Sequence, residues 1–202
     1  MSDDLPGATL NPFRVPSGPL GRLAGWVMGR DDSAHRQVLG LLAAKTGACV
    51  CEIGFGPGQL LKLLVARDSA VQVCGVDPSP VMLAQAHRRL SRLGAAERAD
   101  LRLGVAGALP FPDRHADHVV AVNTAAMWPD LQAALVDTRR VLRPGGTLLI
   151  AWHSARSPRR IQRTLAQPEA WWGETATALR QVFGNVERHD LTYTTACTAT
   201  AS

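Results

Sequence analysis

The sequence predicts a doubly wound α/β fold: one mostly parallel sheet covered by helices on both faces. Three observations predict it. From residue 47 to residue 153, short apolar runs alternate with helical stretches of 3.6-residue periodicity. The runs are apolar at nearly every position, as in strands buried on both faces, and parallel strands joined by helices require right-handed crossovers. The 202 residues, 46% hydrophobic and 19% charged, suit one globular domain rather than a disordered or coiled-coil chain.

Residues 1–20 hold Pro6, Pro12, Pro16 and Pro19 with glycines between them, which predicts a leader without regular structure. Leu23, Val27, Val38, Leu41 and Leu42 recur at helical spacing, so residues 21–46 are expected as two helices. The break falls near Gly29-Arg30-Asp31-Asp32, with Asp32 or Ser33 capping the second helix and Gly47 ending it. Residues 1–46 are thus expected as a leader and helical lid, and 47–202 as the α/β domain.

Ala48 to Ile53 is the first buried strand and Gln59 to Arg67 the first crossover helix. Val71 to Val76 is the second strand, stopped at Asp77-Pro78, and Pro80 to Leu93 a helix with proline early and Gly94 as its stop. Ala99 to Leu103 is a weaker third strand and Asp117 to Asn123 a fourth. Leu131 to Leu142 is a helix ended by Arg143-Pro144-Gly145-Gly146, and Thr147 to His153 a fifth strand. Residues 174–184 read as a last helix, and Val186 to Thr200 as a terminal hairpin.

Several function classes lose support from composition. The longest apolar runs, such as Gly145 to Trp152, fall far short of the ~18 residues of a membrane span. The Met-Ser-Asp-Asp start lacks a secretory pattern, so a cytoplasmic location is expected. Cys49, Cys51, Cys74 and Cys197 lie in apolar stretches without paired spacing and read as buried thiols, with no metal site expected. The net charge of +5 rests on 22 basic residues, only Lys45 and Lys62 being lysine. They are scattered apart from Arg156, Arg159, Arg160 and Arg163, a cluster that fits either a solvated helix or a phosphorylated or acidic small molecule.

In such a sheet, ligands bind beyond the carboxyl ends of the strands, where strand order reverses. The first loop there reads Glu52-Ile53-Gly54-Phe55-Gly56-Pro57-Gly58. Its glycines allow a sharp turn and close approach of a ligand to bare backbone. A dinucleotide fingerprint requires glycine at position 59, and a phosphate loop requires Gly-Lys-Ser/Thr; the chain has Gln59-Leu60-Leu61. Glu52 would repel a pyrophosphate and suits a cationic ligand. Asp77, twenty-three residues beyond Gly54, can accept hydrogen bonds from both hydroxyls of a ribose or cap the helix that begins at Pro80.

These segments carry a family resemblance. Val50 to Gly58 and Gly75-Val76-Asp77-Pro78-Ser79 resemble the first two motifs of class I S-adenosylmethionine-dependent methyltransferases, of the small-molecule, type 11-like kind. Leu109-Pro110-Phe111-Pro112-Asp113, Ala116-Asp117-His118-Val119-Val120 and Val141 to Gly146 resemble later landmarks, in order, so the resemblance spans roughly residues 35–155. It implies a Rossmann-like seven-stranded sheet with an antiparallel last strand, and S-adenosylmethionine as cofactor. Gly54, Phe55, Gly56 and Gly58 would present backbone to the methionine portion, with Glu52 near its ammonium. Asp77 would grip the ribose, and Pro78 and Met82 would wall the adenine. Val105 stands where relatives often carry an adenine-binding Asp, which leaves the Ala106 N–H as polar partner. Asn123 would lie beside the methyl donor.

Methyl transfer from a sulfonium is an in-line displacement in which alignment alone supplies ~7–11 kcal/mol. A hydroxyl acceptor also benefits from a base, while an amine or carbon needs little more. His153, at the carboxyl end of the fifth strand, has the best address for a base or substrate contact; its other reading is a loop hydrogen bond. His35 is a weaker candidate on the lid, and His115 and His118 are expected as surface groups. Trp128, past Asn123, and Trp26 in the lid are candidates to hold the acceptor, or lid packing. Asn123-Thr124-Ala125-Ala126 differs from the Asn/Asp-Pro-Pro-Tyr/Phe run of DNA amino-methyltransferases, so a small-molecule acceptor is expected rather than nucleic acid. The alternatives are an RNA methyltransferase and a non-catalytic nucleoside-binding subunit of a methyltransferase complex. A homodimer is the assembly allowed for.

Overall fold

The apolar runs assemble side by side as the sequence predicts. The structure, a computed structural model, describes residues 32–202. Strands β1 (Cys49–Ile53), β2 (Gln72–Asp77), β3 (Ala99–Leu103), β4 (Ala116–Val122) and β5 (Leu142–His153) are parallel. The sheet continues antiparallel through β7 (Thr194–Thr200) to β6 (Glu187–Asp190), giving the order β3-β2-β1-β4-β5-β7-β6. Strand order reverses between β1 and β4, which fixes where a ligand crevice opens.

Helices cover both faces because successive strand residues point to opposite sides. Cys49, Cys51 and Ile53 of β1 join Phe111, Leu135, Trp172 and Leu179 in one core layer, beneath α4 (Leu131–Val141) and α6 (Glu169–Phe183). Val50, between them, joins Val38, Leu60, Leu64 and Leu90 in the other, beneath α1 (Ser33–Leu42), α2 (Gln59–Arg67) and α3 (Pro80–Ser91). The short α5 (Arg160–Thr164) carries part of the arginine cluster, and Arg163 is spent on the Ser157 and Pro158 carbonyls at 2.7 and 3.0 Å.

Several boundaries differ from expectation. β5 begins at Leu142 rather than Thr147, because the Pro-Gly-Gly stretch is stitched to the chain end: Gly145 N–H donates to Ala201 O at 2.7 Å, and Ala201 N–H to Gly146 O at 2.8 Å. The last helix begins at Glu169, directly after Pro168, so Trp171 and Trp172 are helical rather than loop residues. α1 ends at Leu42, with Ala43 left-handed, short of Gly47. Asp32 occupies the N-cap position without a side-chain cap; its carboxylate faces Arg36 and Lys62 at 3.4 and 3.6 Å. His118 is not a surface group, being half-buried in β4 with its pKa lowered by burial. His115 is also half-buried. The first half of the helix pair and Trp26 lie outside the described residues.

α1 lies against α2, β5 and β7. The Gln37 side-chain oxygen accepts the Tyr193 N–H at 2.9 Å, tying α1 to the β6–β7 hairpin. That placement brings α1 over the His153 side of the sheet.

Candidate active site

β1 ends in a turn that only glycine serves well. Gly54, Gly56 and Gly58 have φ of 76°, 52° and 76°, in the left-handed region that costs other residues roughly 1–2 kcal/mol. A Cβ on Gly54 would collide with the Thr124 side chain, whose Oγ1 donates to Ile53 O at 2.9 Å. Gly54 N–H itself donates to Val76 O at 2.7 Å. The turn is therefore pinned between the ends of β2 and β4.

Two carboxylates flank it. Asp77 closes β2, 6% exposed, and accepts the Gly56 N–H on Oδ2 at 2.8 Å and the Ser79 N–H on Oδ1 at 2.9 Å. Burial pushes its carboxyl up despite those two bonds. Glu52, 2% exposed, has an Oε2 without a hydrogen-bond partner. Burial, and then the charge of Asp77, push the Glu52 carboxyl well above its ordinary range. Among the described residues no Arg or Lys pairs with either acid. Two buried acids beside bare backbone make a place for a cation that carries hydroxyl donors.

The capping role open to Asp77 falls to Ser79, whose Oγ accepts the Met82 N–H at 3.3 Å. A serine directly before a proline that opens a helix was the signal for it. Pro78 is exposed, and Met82 is buried in α3. Phe55 is also buried, packed in the core with Val50 and Leu60, so the turn offers a ligand its backbone there. Gly104 N–H donates to Asp77 O at 3.3 Å, which sets Val105, 46% exposed, and half-buried Ala106 in the adjoining loop.

Asn123 follows β4 with φ of 56°, a conformation asparagine tolerates better than most residues. Its N–H donates to Ala151 O at 2.8 Å, and its buried Oδ1 has no hydrogen-bond partner. His153 closes β5, half-buried and paired with Thr194 of β7. Trp128 is half-buried against the core layer beneath α4 and α6. The crevice thus gathers Glu52, the glycine turn, Asp77, Pro78, Val105, Ala106 and Asn123 at adjoining strand ends. His153 lies one strand further along. Thr124, which holds the glycine turn, had no signal in the sequence.

A doubly wound sheet with a glycine turn between buried acids defines a nucleoside-binding enzyme domain, and the comparisons with known proteins agree. Residues 51–150 match the family model described as a methyltransferase domain. The uncharacterized methyltransferase YdaC of Bacillus subtilis is 30% identical over 129 residues, 63% of this chain and 69% of its own. The demethylmenaquinone methyltransferase of Tropheryma whipplei (strain Twist) is 35% identical over 132 residues, 65% of this chain and 52% of its own. The chain thus spans about two thirds of the first relative and about half of the second. A solved S-adenosylmethionine-dependent methyltransferase from Aquifex aeolicus shares the fold with a TM-score of 0.72 at 18% identity, over 90% of this chain and 98% of that one.

The chain belongs to the class I S-adenosylmethionine-dependent methyltransferases. S-adenosylmethionine is its cosubstrate, and the residues present fit it: an unpartnered buried carboxylate oxygen on Glu52, a second buried acid in Asp77, and a glycine turn in which a Cβ on Gly54 would strike Thr124.

Proposed function

We propose that the chain transfers a methyl group from S-adenosylmethionine to a nitrogen, oxygen or carbon atom of a small-molecule acceptor. The observation that carries this reading is the pair of buried acids, Glu52 and Asp77, on either side of the glycine turn. When bound, the cosubstrate would supply an electrophilic methyl on a sulfonium whose sulfur keeps the electron pair of the S–C bond, while the acceptor supplies the pair for the new bond.

The chain's own groups orient and enclose. Glu52 meets the ammonium of the methionine portion, and Asp77 accepts the ribose hydroxyls. Pro78 and Met82 wall the adenine beside Val105, and the Ala106 N–H donates to it. Asn123 stands beside the methyl donor, with the backbone of Gly54, Phe55, Gly56 and Gly58 beneath. His153 takes the acceptor's proton or contacts the acceptor, while Trp128 holds it. A small acceptor is supported by the Asn123-Thr124-Ala125-Ala126 run and by a relative named for demethylmenaquinone. Four free cysteines support a reducing, cytoplasmic setting.

One observation favours an RNA acceptor instead. Lys62, Arg88, Arg89 and Arg92 line a groove of about 490 Å³ between α2 and α3. Incubation with isotope-labelled S-adenosylmethionine and a cell extract separates the readings. Label in the small-molecule fraction supports the proposal. Label in RNA, with affinity falling steeply with salt, overturns it.

A further inference from the structure

At the opposite end of the sheet, three ligand-bearing residues from separate elements converge. Cys49 opens β1, Cys74 lies in β2, and His115 directly precedes β4. The direct partner of Cys74 across the strands is Cys51, so Cys49 and Cys74 sit one pleat apart on the same face. Their Sγ atoms are 4.0 Å apart. A His115 ring nitrogen completes a group whose three ligand atoms all lie within 4.8 Å of one another.

We propose that Cys49, Cys74 and His115 bind one thiophilic divalent cation of the zinc type, which clips β1 and β2 to the segment entering β4. With metal–sulfur bonds of about 2.3 Å, two sulfurs 4.0 Å apart subtend about 120° at a shared ion, within reach of a tetrahedral arrangement. A tetrahedral ion spaces its sulfur and nitrogen ligands about 3.6–3.8 Å apart, so a small rotation of the half-buried His115 ring closes the set. Three protein ligands leave a fourth position for water on the His115 side.

The backbone at two of the ligands is held in place. The Cys49 backbone N–H donates to Asp117 Oδ2 at 2.8 Å, and Asp117 is gripped by Arg143 at 2.7 Å. The His115 backbone N–H donates to Val141 O at 2.7 Å, and its ring lies parallel to Phe111 with centroids 5.5 Å apart. Two S–H protons pass to solvent as two metal–sulfur bonds form. The site lies about 13 Å from the glycine turn, one β1 length away, and takes no part in methyl transfer. C-x-x-C spacing could not announce it, because its ligands are scattered over 67 residues from Cys49 to His115.

The test uses the full chain, reduced and freed of metal with a chelator, then titrated with Co²⁺ and afterwards with Zn²⁺. The expected result is one Co²⁺ per chain with a sulfur-to-cobalt charge-transfer band that Zn²⁺ abolishes. Cys49→Ser and Cys74→Ser should lose the band, His115→Ala should weaken Co²⁺ binding at least about tenfold, and Cys197→Ser should match the unaltered chain. His115 is peripheral, so its variant serves if a cysteine variant fails to fold. Absence of the band in the unaltered chain overturns the proposal. So does a band of unchanged affinity in His115→Ala, or isolation of the pair as a Cys49–Cys74 disulfide that excludes the metal.

Discussion

The Asp77 carboxylate accepts the backbone N–H of Gly56 at 2.8 Å, joining the end of β2 to the middle of the glycine turn. The same group accepts the Ser79 N–H at 2.9 Å, so one side chain shapes the loops that follow both β1 and β2. Asp77→Ala would strip the proposed ribose contact and leave two N–H groups without an acceptor, each worth about 1–3 kcal/mol when buried. S-adenosylmethionine affinity should fall about tenfold or more in a calorimetric titration. Unchanged affinity would remove the ribose assignment.

Glu52 carries a sign that separates binding from stability. Its folded pKa is raised, by burial and then by Asp77. Below the ordinary value of 4.5 both states hold the proton and Glu52 is neutral in its effect. As pH rises above it, the unfolded chain ionises first, so stability falls until the folded value is passed. Glu52→Gln should therefore make the ligand-free protein more resistant to urea at pH 7 but not at pH 4. It should also weaken S-adenosylmethionine about tenfold, roughly 1.4 kcal/mol, by removing the ammonium's partner. A variant that loses stability at pH 7 would contradict this.

Asp117 has the opposite sign. Burial works against its charge, but the Cys49 N–H and the Arg143 guanidinium outweigh burial and hold its carboxyl below the ordinary 3.8. Its contribution is present above that value and is lost as pH falls through the lower, folded one. Asp117→Asn should cost on the order of 1 kcal/mol at pH 7, since solvent screens the exposed Arg143 partner. The difference in urea midpoints from the unaltered chain should close below pH 3.8.

His153 is predicted to act after the cofactor is seated. His153→Ala should leave S-adenosylmethionine affinity unchanged and slow transfer to a hydroxyl acceptor about 10²–10⁴-fold. An unchanged rate would assign His153 to packing alone.

Much of this was legible in the sequence, for identifiable reasons. β3 runs over Ala99–Leu103 as its pattern indicated, β1 differs by one residue at one end, and β2 is shifted by one residue at each end. Strands buried on both faces announce themselves locally, and glycines and Asp77 mark their ends. Insertion of β7 between β5 and β6 was not legible, because strand order depends on partners far apart in the chain. Nor was the early start of β5: Pro144-Gly145-Gly146 reads as a break and becomes strand only through bonds to Ala201. In the site, Glu52 and Asp77 stood out by chemistry. Thr124 and the convergence of Cys49, Cys74 and His115 did not, since each depends on the crossing of distant segments.

The most direct measurement is calorimetric titration of the purified full chain with S-adenosylmethionine, with NAD and ATP as controls. The account predicts one site of micromolar affinity, about −8 kcal/mol, for S-adenosylmethionine alone, lost in Asp77→Ala. Folded protein that ignores S-adenosylmethionine, or takes NAD or ATP equally well, would contradict it.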